Sequence, residues 1–365
     1  MKKISLILLA LLMVLSCALV ASACGSSEET STSATEAVTT SAAPQTTAAA
    51  PQTTTSSEAA ATTVVDKKYK IGITQIVTHR ALDTNRKGFI DKMTELGYVE
   101  GKNIEYLISI PEGDMTLAAS IAKKFVADKV DAIFALTTPC AQACSEAVKG
   151  SNIPIVYCAV TDPVAAGLVD SLEKSGGNIA GMSDWSDIKT QMLLIKEILP
   201  DLTTLGIIYN AGEVNSVVQA KEVKALSTEL GYRVEEATSA TSADVLAAIQ
   251  SLVGRCDAVW FPTDNVVASA IEVVIKTCED NKLPLFGSDT AHVESGALAT
   301  IGIDLYKLGQ NAAIIMDKAL KGADLSTFPV GRLEANQIWL NMGAAERMGV
   351  TFPQAVIDKA ANIIK

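Results

Sequence analysis

The sequence predicts an α/β protein in which two Rossmann-like lobes with parallel sheets are joined by a three-segment hinge. Short apolar runs alternate with longer segments of helical period along most of the chain. Strands separated by helices favour a parallel sheet with right-handed crossovers. The whole alternation then occurs a second time, which indicates two lobes.

The first lobe begins the alternation at residue 70. Strands are predicted at residues 70–74, 103–109, 132–136 and 155–159, and helices at 82–96, 115–129 and 140–149. Asp114 stands just before the second of these helices, where a carboxylate can accept from free backbone N–H groups.

Four short motifs recur in the same order later in the chain. The matched pairs are residues 71–73 with 205–207, 95–98 with 229–232, 131–134 with 257–260, and 154–156 with 284–286. A period of more than 120 residues is far too long for a solenoid repeat, so each copy corresponds to a lobe.

Further elements follow both copies. Strands are predicted at residues 299–303 and 337–340, and helices at 305–321 and 353–364. We therefore expect the chain to cross between the lobes near residues 182–186, 288–294 and 326–333. The first lobe would comprise residues 68–184 and 292–327, and the second residues 185–291 and 328–365. Several crossings together form a hinge about which lobes can open and close.

The N-terminal segment has the pattern of a secretory signal peptide over residues 1–23. Lys2 and Lys3 precede an apolar stretch, and small residues lead to Cys24. This junction resembles a bacterial lipobox, which implies a diacylglycerol on Cys24; Cys17 is a poorer second candidate. An uncleaved membrane anchor is the alternative, and both interpretations place the remainder outside the cytoplasmic membrane.

Residues 24–67 are predicted to be a disordered tether. From residue 25 to residue 63, 29 of 39 residues are Ser, Thr or Ala. Such a segment buries too little apolar surface to offset the entropy lost on ordering.

Composition excludes several classes of protein. Apolar residues make up 48% and charged residues 19% of the chain, which argues against a disordered protein or one that crosses the membrane repeatedly. The formal net charge is −11 and no large basic patch occurs, so no nucleic-acid partner is expected. Two His and no CxxC motif predict neither a metal site nor a cofactor.

Polar residues follow the predicted strands, where open α/β sheets bind their ligands. The candidate ligand-binding residues are Gln75, His79, Thr137, Thr138, Gln142, Asp162, Trp185, Asn210, Thr263, Asp264, Asn265 and Asp289. Hydroxyls before a helix can hold a carboxylate, and the Asp residues can hold an ammonium group. Together these suit an α-amino acid, while the alternative is that each residue only caps the helix that follows it.

The motifs resemble those of ABC-transporter substrate-binding proteins of the tryptophan-uptake type. The resemblance rests on KIGITQ at 70–75, ALD at 81–83, TTP at 137–139, TDPV at 161–164, TDN at 263–265 and GIDLYKLGQ at 302–310. It implies a type I periplasmic-binding-protein fold, a monomer anchored by lipid, and a permease with its ATPase as partners. It also implies an aromatic amino acid as ligand, with Thr137, Thr138, Asp162, Asp264, Asn265 and Asp289 in the binding site.

The sequence argues against an enzyme but not against a different receptor role or a different ligand. No GxSxG, P-loop, HExxH or GxGxxG motif occurs in a suitable context, so we do not expect an enzyme. A receptor that signals to a membrane kinase stays open. A branched amino acid or a nucleoside stays open as the ligand.

Overall fold

The computed structural model describes residues 67–335 and 337–365. The predicted signal peptide, the proposed lipid site at Cys24 and almost all of the predicted tether lie outside the described residues. In the part that is described, no helix is long and apolar enough to cross a membrane.

The chain alternates between strands and helices as predicted. In order, the elements are β1 (Tyr69–Gln75), α1 (Arg80–Glu95), β2 (Ile104–Ser109), α2 (Met115–Ala127), β3 (Ala132–Leu136), α3 (Thr138–Ala147), β4 (Ile155–Cys158), β5 (Ile179–Ser183), α4 (Ile188–Ile198), β6 (Thr204–Tyr209), α5 (Val214–Leu230), β7 (Arg233–Thr238), α6 (Val245–Leu252), β8 (Ala258–Phe261), α7 (Asn265–Ser269), α8 (Ile271–Asp280), β9 (Leu285–Gly287), α9 (Thr290–Ser295), β10 (Ala299–Gly302), α10 (Leu305–Leu320), β11 (Gly331–Arg332), β12 (Gln337–Asn341), α11 (Met342–Met348), α12 (Gln354–Lys359) and β13 (Asn362–Ile364). Asp114 caps α2 by accepting from the N–H groups of Thr116 and Leu117.

Two parallel sheets form the centres of the lobes. The first has the strand order β11-β5-β4-β3-β1-β2, and the second has the order β7-β6-β8-β9. Three of the four repeated pairs fall on equivalent strands, and the pair 95–98 with 229–232 follows equivalent helices, α1 and α5. In each copy the first strand lies between the second and the third, as β1 pairs with β2 and β3, and β6 with β7 and β8. The prediction of an α/β fold with two parallel sheets is confirmed.

A small third sheet lies beside the second lobe. β12 pairs antiparallel with β10 and parallel with β13. The sequence pattern predicted one helix over residues 353–364, but α12 ends at Lys359 and β13 follows. The chain becomes extended at Ala360, and Ala361 donates its N–H to the carbonyl of Ile338, which joins the C-terminal residues to the sheet edge.

The buried apolar residues form two clusters, and these show where the chain passes between lobes. The first cluster contains β1 to β5 and the buried face of α10, and the second runs from Ile188 to Ile301 and resumes after residue 337. The crossings therefore lie near residues 184–187, 302–304 and 333–337. The last two come later than the sequence predicted. His292 stacks on Phe261 and keeps α9 with the second lobe, while β11 pairs with β5 and extends the first lobe.

Helix α10 covers the first sheet by packing closely on α1. A Cβ atom built on Gly309 would lie 2.0 Å from the carbonyl oxygen of Asn85, and one built on Gly88 would lie 2.1 Å from that of Tyr306. Only glycine allows two backbones to approach this closely. The two glycines thus fix the relative position of the helices on one side of the cleft.

Candidate functional site

A small cavity lies between the lobes at the carboxyl ends of the central strands. Its volume is about 30 Å³, and both lobes line it. Six of the twelve candidate residues contribute to its wall: His79, Thr137, Thr263, Asp264, Asn265 and Asp289. All six follow strand ends, where open α/β sheets bind their ligands.

Two carboxylates of the cavity are already engaged by the protein. Asp264 accepts from the N–H of Asn210 and the hydroxyl of Ser216, both at 2.6 Å, and its other oxygen accepts from the N–H of Val267 at 2.8 Å. Asp289 accepts from the N–H of His292 at 3.0 Å, and its second oxygen lies 3.3 Å from His292 Nε2. Both carboxylates therefore serve as helix caps.

Asp184 is a third carboxylate in the cavity wall, and its Oδ1 is buried without a hydrogen-bond partner. Burial, together with the nearby charge of Asp289, raises the pKa of Asp184 to about 6. Its neighbour Trp185 was among the predicted site residues, whereas Asp184 was not. The available signal was its position directly after β5, at a predicted crossing.

Thr137 lies at the N-terminus of α3 in a strained backbone conformation. Its φ is +82°, a region that β-branched residues rarely adopt, and it makes no side-chain cap. The buried hydroxyl oxygens of Thr137 and Thr138 have no partner. Thr137 lines the cavity, so a polar atom faces the space in front of the helix end. Strain of this kind is concentrated at functional sites.

Two imidazoles complete the polar part of the wall. Burial lowers the pKa of His79 to about 4, so this ring is neutral at pH 7, and its Nε2 has no partner. Burial also lowers the pKa of His292, whose ring centroid lies 4.2 Å from that of Phe261. Neither ring supplies a positive charge near neutral pH.

The first lobe contributes five apolar side chains to the wall, beside the polar side chains of His79, Asn85, Thr137 and Thr161. The apolar ones are those of Ala81, Leu82, Ala159, Ile303 and Leu305. Burying apolar ligand surface against such a wall contributes roughly 25 cal/mol per Å².

Two side-chain contacts join the lobes at the edge of the cavity. The hydroxyls of Thr161 and Thr263 lie 3.0 Å apart, and the guanidinium of Arg80 donates to Glu294 at 2.9 Å. Thr161 and Arg80 belong to the first lobe, and their partners belong to the second. The lobes are therefore in contact across the cleft.

The other six candidates lie away from the cavity wall. Asp162 is half-buried and accepts from the N–H groups of Val164 and Ala165, and it borders a separate surface hollow with Trp185. Trp185 also packs against the core of the second lobe. Asp162 thus closes the turn over residues 163–167, and no helix follows it directly.

Gln75, Thr138, Gln142 and Asn210 complete that set. Gln75 donates to Asp83 and accepts from Arg86 beneath the first turn of α1. Thr138 is buried behind Thr137 and does not line the cavity. Gln142 and Asn210 border an outer groove of about 820 Å³ between the rims of the two lobes.

Within the described residues, no group of three or more His, Cys, Asp or Glu side chains is arranged to hold a metal ion. The polar groups of the cavity suit a small polar organic molecule instead. The unpartnered carboxylate of Asp184, the strained helix terminus at Thr137 and the apolar side chains can each contact a different part of one ligand.

Comparisons with known proteins agree with this arrangement. The family model described as ABC transporter substrate binding protein matches residues 70–364. A second model, of the New glue protein family, matches residues 1–89, most of which precede the folded part. A relative from Clostridioides difficile named "Tyrosine-binding protein" is 43% identical over 275 residues, which is 75% of this chain and 79% of the relative.

Two solved structures are similar to the folded part. The ABC domain from Streptococcus pneumoniae in complex with L-Trp is 33% identical, with a TM-score of 0.78 over 82% of this chain and 100% of that chain. The ligand-free, open structure of a substrate binding protein with adhesive properties from Clostridium difficile is 39% identical, with a TM-score of 0.61 over 81% of this chain and 99% of that chain.

The family model covers nearly the whole described body, and the family consists of substrate-binding proteins, not enzymes. The fold is that of the type I periplasmic binding proteins, as the sequence motifs implied. The chain belongs to the ABC transporter substrate-binding protein family.

Proposed function

We propose that this chain is the extracytoplasmic, lipid-anchored receptor of an ABC importer and that it closes its two lobes on an aromatic amino acid. Several buried polar atoms of the cavity wall have no partner, and two of them carry the ligand assignment: Asp184 Oδ1 and Thr137 Oγ1. An α-amino acid presents one cation and one anion to such a pair.

Asp184 is the group proposed to hold the ammonium. The oxygens of Asp264 accept from Asn210, Ser216 and Val267, and Asp289 accepts from the N–H of His292. Asp184, which also lines the cavity, has a buried oxygen without a partner. An ammonium group would supply the missing charge-assisted hydrogen bond.

The carboxylate is assigned to the N-terminus of α3. Free N–H groups and the positive end of the helix dipole favour an anion there, and the hydroxyl of Thr137 can donate one further bond. The strain at Thr137 supports this assignment, because strained backbone conformations are concentrated at residues that contact ligands.

An aromatic side chain is supported by the apolar wall and by the relatives. Leu82, Ile303 and Leu305 provide the apolar surface that a ring would contact. The names of two relatives specify tyrosine and L-Trp respectively. A branched amino acid would also fit an apolar wall, and binding measurements must distinguish them.

The lobes must move for binding to occur. A cavity of about 30 Å³ is sufficient for only one or two water molecules, so an amino acid gains access only when the lobes separate. The structure has a higher TM-score with the L-Trp complex than with the open relative, although the open relative has the higher sequence identity. This supports a closed conformation of the lobes. A ligand favours the closed form when it binds that form more tightly than the open one.

The membrane anchor and the partners rest on the sequence and the family. The lipobox-like junction at Cys24 and the predicted tether support attachment to the outer face of the membrane. A permease and an ATPase are the partners that a substrate-binding protein of an ABC transporter requires.

Calorimetric titration of the purified protein tests the ligand assignment. Tyrosine, tryptophan and phenylalanine are expected to bind, while leucine and adenosine should bind weakly or not at all. Asp162→Asn is the matched control for Asp184→Asn, because Asp162 lies outside the cavity. Binding of adenosine, or of no amino acid, would contradict the proposal. Ligand uptake by cells with and without the protein tests the transport role against a sensor role.

A further inference from the structure

One buried polar side chain interrupts the apolar wall of the cavity. Asn85 projects from α1 beside Ala81 and Leu82 of the same helix and is only 1% exposed. Leu305, at the start of α10, faces the same part of the cavity. An amide in this position is costly to bury unless it is hydrogen-bonded, so its partners indicate its role.

The hydrogen bonds of Asn85 are incomplete. Its Nδ2 donates to the carbonyl of Ala81 at 3.1 Å, within its own helix. Its Oδ1 has one partner, the thiol of Cys158, with Sγ at 3.6 Å. A thiol is a weak donor, and a carboxamide oxygen can accept two hydrogen bonds. Asn85 Oδ1 thus retains the capacity to accept one strong bond.

The backbone of Asn85 is held firmly in place. The carbonyl of Asn85 faces Gly309 of α10, where a Cβ atom would approach to 2.0 Å, so the helix cannot shift without separating from α10. A polar group with a spare acceptor and a rigid support is suited to recognising a ligand.

We propose that Asn85 is a specificity-determining residue whose Oδ1 accepts a hydrogen bond from the phenol of tyrosine. The inference rests on the proposed function, because the ring reaches this wall only if the ammonium and carboxylate lie at Asp184 and Thr137. Phenylalanine would fill the same space and leave the acceptor with its thiol partner alone. Sites that hydrogen-bond a ligand hydroxyl discriminate strongly against analogues that lack it.

The test compares tyrosine with phenylalanine in the wild-type protein, in Asn85→Leu and in Leu82→Ala. We expect the wild type to bind tyrosine at least about tenfold more tightly than phenylalanine. Asn85→Leu should remove this preference by weakening tyrosine alone. Leu82→Ala is the matched control from the same wall and should weaken both ligands by a similar factor. Asn85→Ala serves as a second variant if the leucine disturbs folding, which thermal unfolding of the ligand-free proteins would reveal.

The outcomes separate this inference from the proposed function. If the protein binds both amino acids equally, or if the preference survives in both Asn85 variants, the inference is wrong while the receptor assignment stands. If neither amino acid binds and no other aromatic amino acid does, both fail. If Asn85→Leu weakens tryptophan but not tyrosine, the acceptor serves an indole N–H, and the phenol assignment is overturned.

Discussion

Replacing Asp184 by Asn should weaken the ligand and at the same time stabilise the ligand-free protein. Asp184 is buried, and its Oδ1 has no partner. Removing one member of a buried charge pair costs about 2–5 kcal/mol of binding free energy. Because each 1.4 kcal/mol corresponds to about a tenfold change in Kd, the loss in affinity for an aromatic amino acid should be at least about thirtyfold.

The stability of the ligand-free protein should change in the opposite direction. The pKa of Asp184 is raised from its ordinary value of 3.8 to about 6, so the ionised side chain disfavours the folded state. At about 1.4 kcal/mol per pKa unit, the cost approaches about 3 kcal/mol at pH 7. As the pH rises, the carboxyl of Asp184 ionises in the unfolded chain before it ionises in the folded protein. The loss of stability is therefore absent below pH 4, grows between pH 4 and pH 6, and is constant above pH 6.

Urea unfolding of the wild type and Asp184→Asn at pH 4 and pH 7, with calorimetric titration at pH 7, measures both effects. The variant should gain stability over the wild type at pH 7 and much less at pH 4. Asp162→Asn is the control and should change the stability by less than about 0.5 kcal/mol with unchanged affinity, because the Asn oxygen can accept the same N–H groups. Unchanged affinity in Asp184→Asn, or lower stability at pH 7, would refute the reasoning.

Three further predictions concern pH, backbone strain and the contact between lobes. Titration with ligand at pH 5, 6 and 7 should show that Kd increases as the pH falls below 6, by up to about tenfold per pH unit, because ligand binding must release the proton of Asp184. A Kd that does not change with pH would exclude Asp184 as the partner of the ammonium. Thr137→Gly should be more stable than Thr137→Ala by about 1 kcal/mol in urea, since only glycine adopts φ +82° without strain, and both should bind more weakly; equal stabilities would show that the strain is absent. Arg80→Gln should raise the rate of ligand dissociation by up to about fivefold at low salt, as expected for an exposed pair worth about 0.2–1 kcal/mol, and Glu294→Gln should raise it equally. Faster dissociation in only one of the two variants would show that the pair does not join the lobes.

Much of the fold was predictable because alternation and repetition are strong signals. The strand over residues 132–136 was predicted with the bounds of β3, and three of the four matched motif pairs fall on equivalent strands of two sheets. The positions of the later crossings were less predictable. They depend on tertiary contacts, such as the stacking of His292 on Phe261, that leave no periodic pattern in the sequence.

The binding site was predicted at the level of loops but not of every side chain. Thr161 lines the cavity, whereas its neighbour Asp162 faces the surface hollow. Thr161 and Asp162 are adjacent yet face different spaces, so an error of one position exchanges a cavity-lining residue for one that closes a turn. Ala159, just before them, has a left-handed backbone with φ +54°, which no sequence pattern predicts for a non-glycine residue.

The docking of α10 on the first lobe has a consequence for how the protein is made. Leu308, Ala312 and Met316 of this helix are completely buried in the first core, yet they lie more than 100 residues beyond β5. A nascent chain that ends at residue 303 would carry β1 to β5 with one apolar face still exposed to water. We therefore expect the first lobe to be synthesised early but to finish folding only after α10 has been made. Until then, its exposed apolar face would need protection from aggregation.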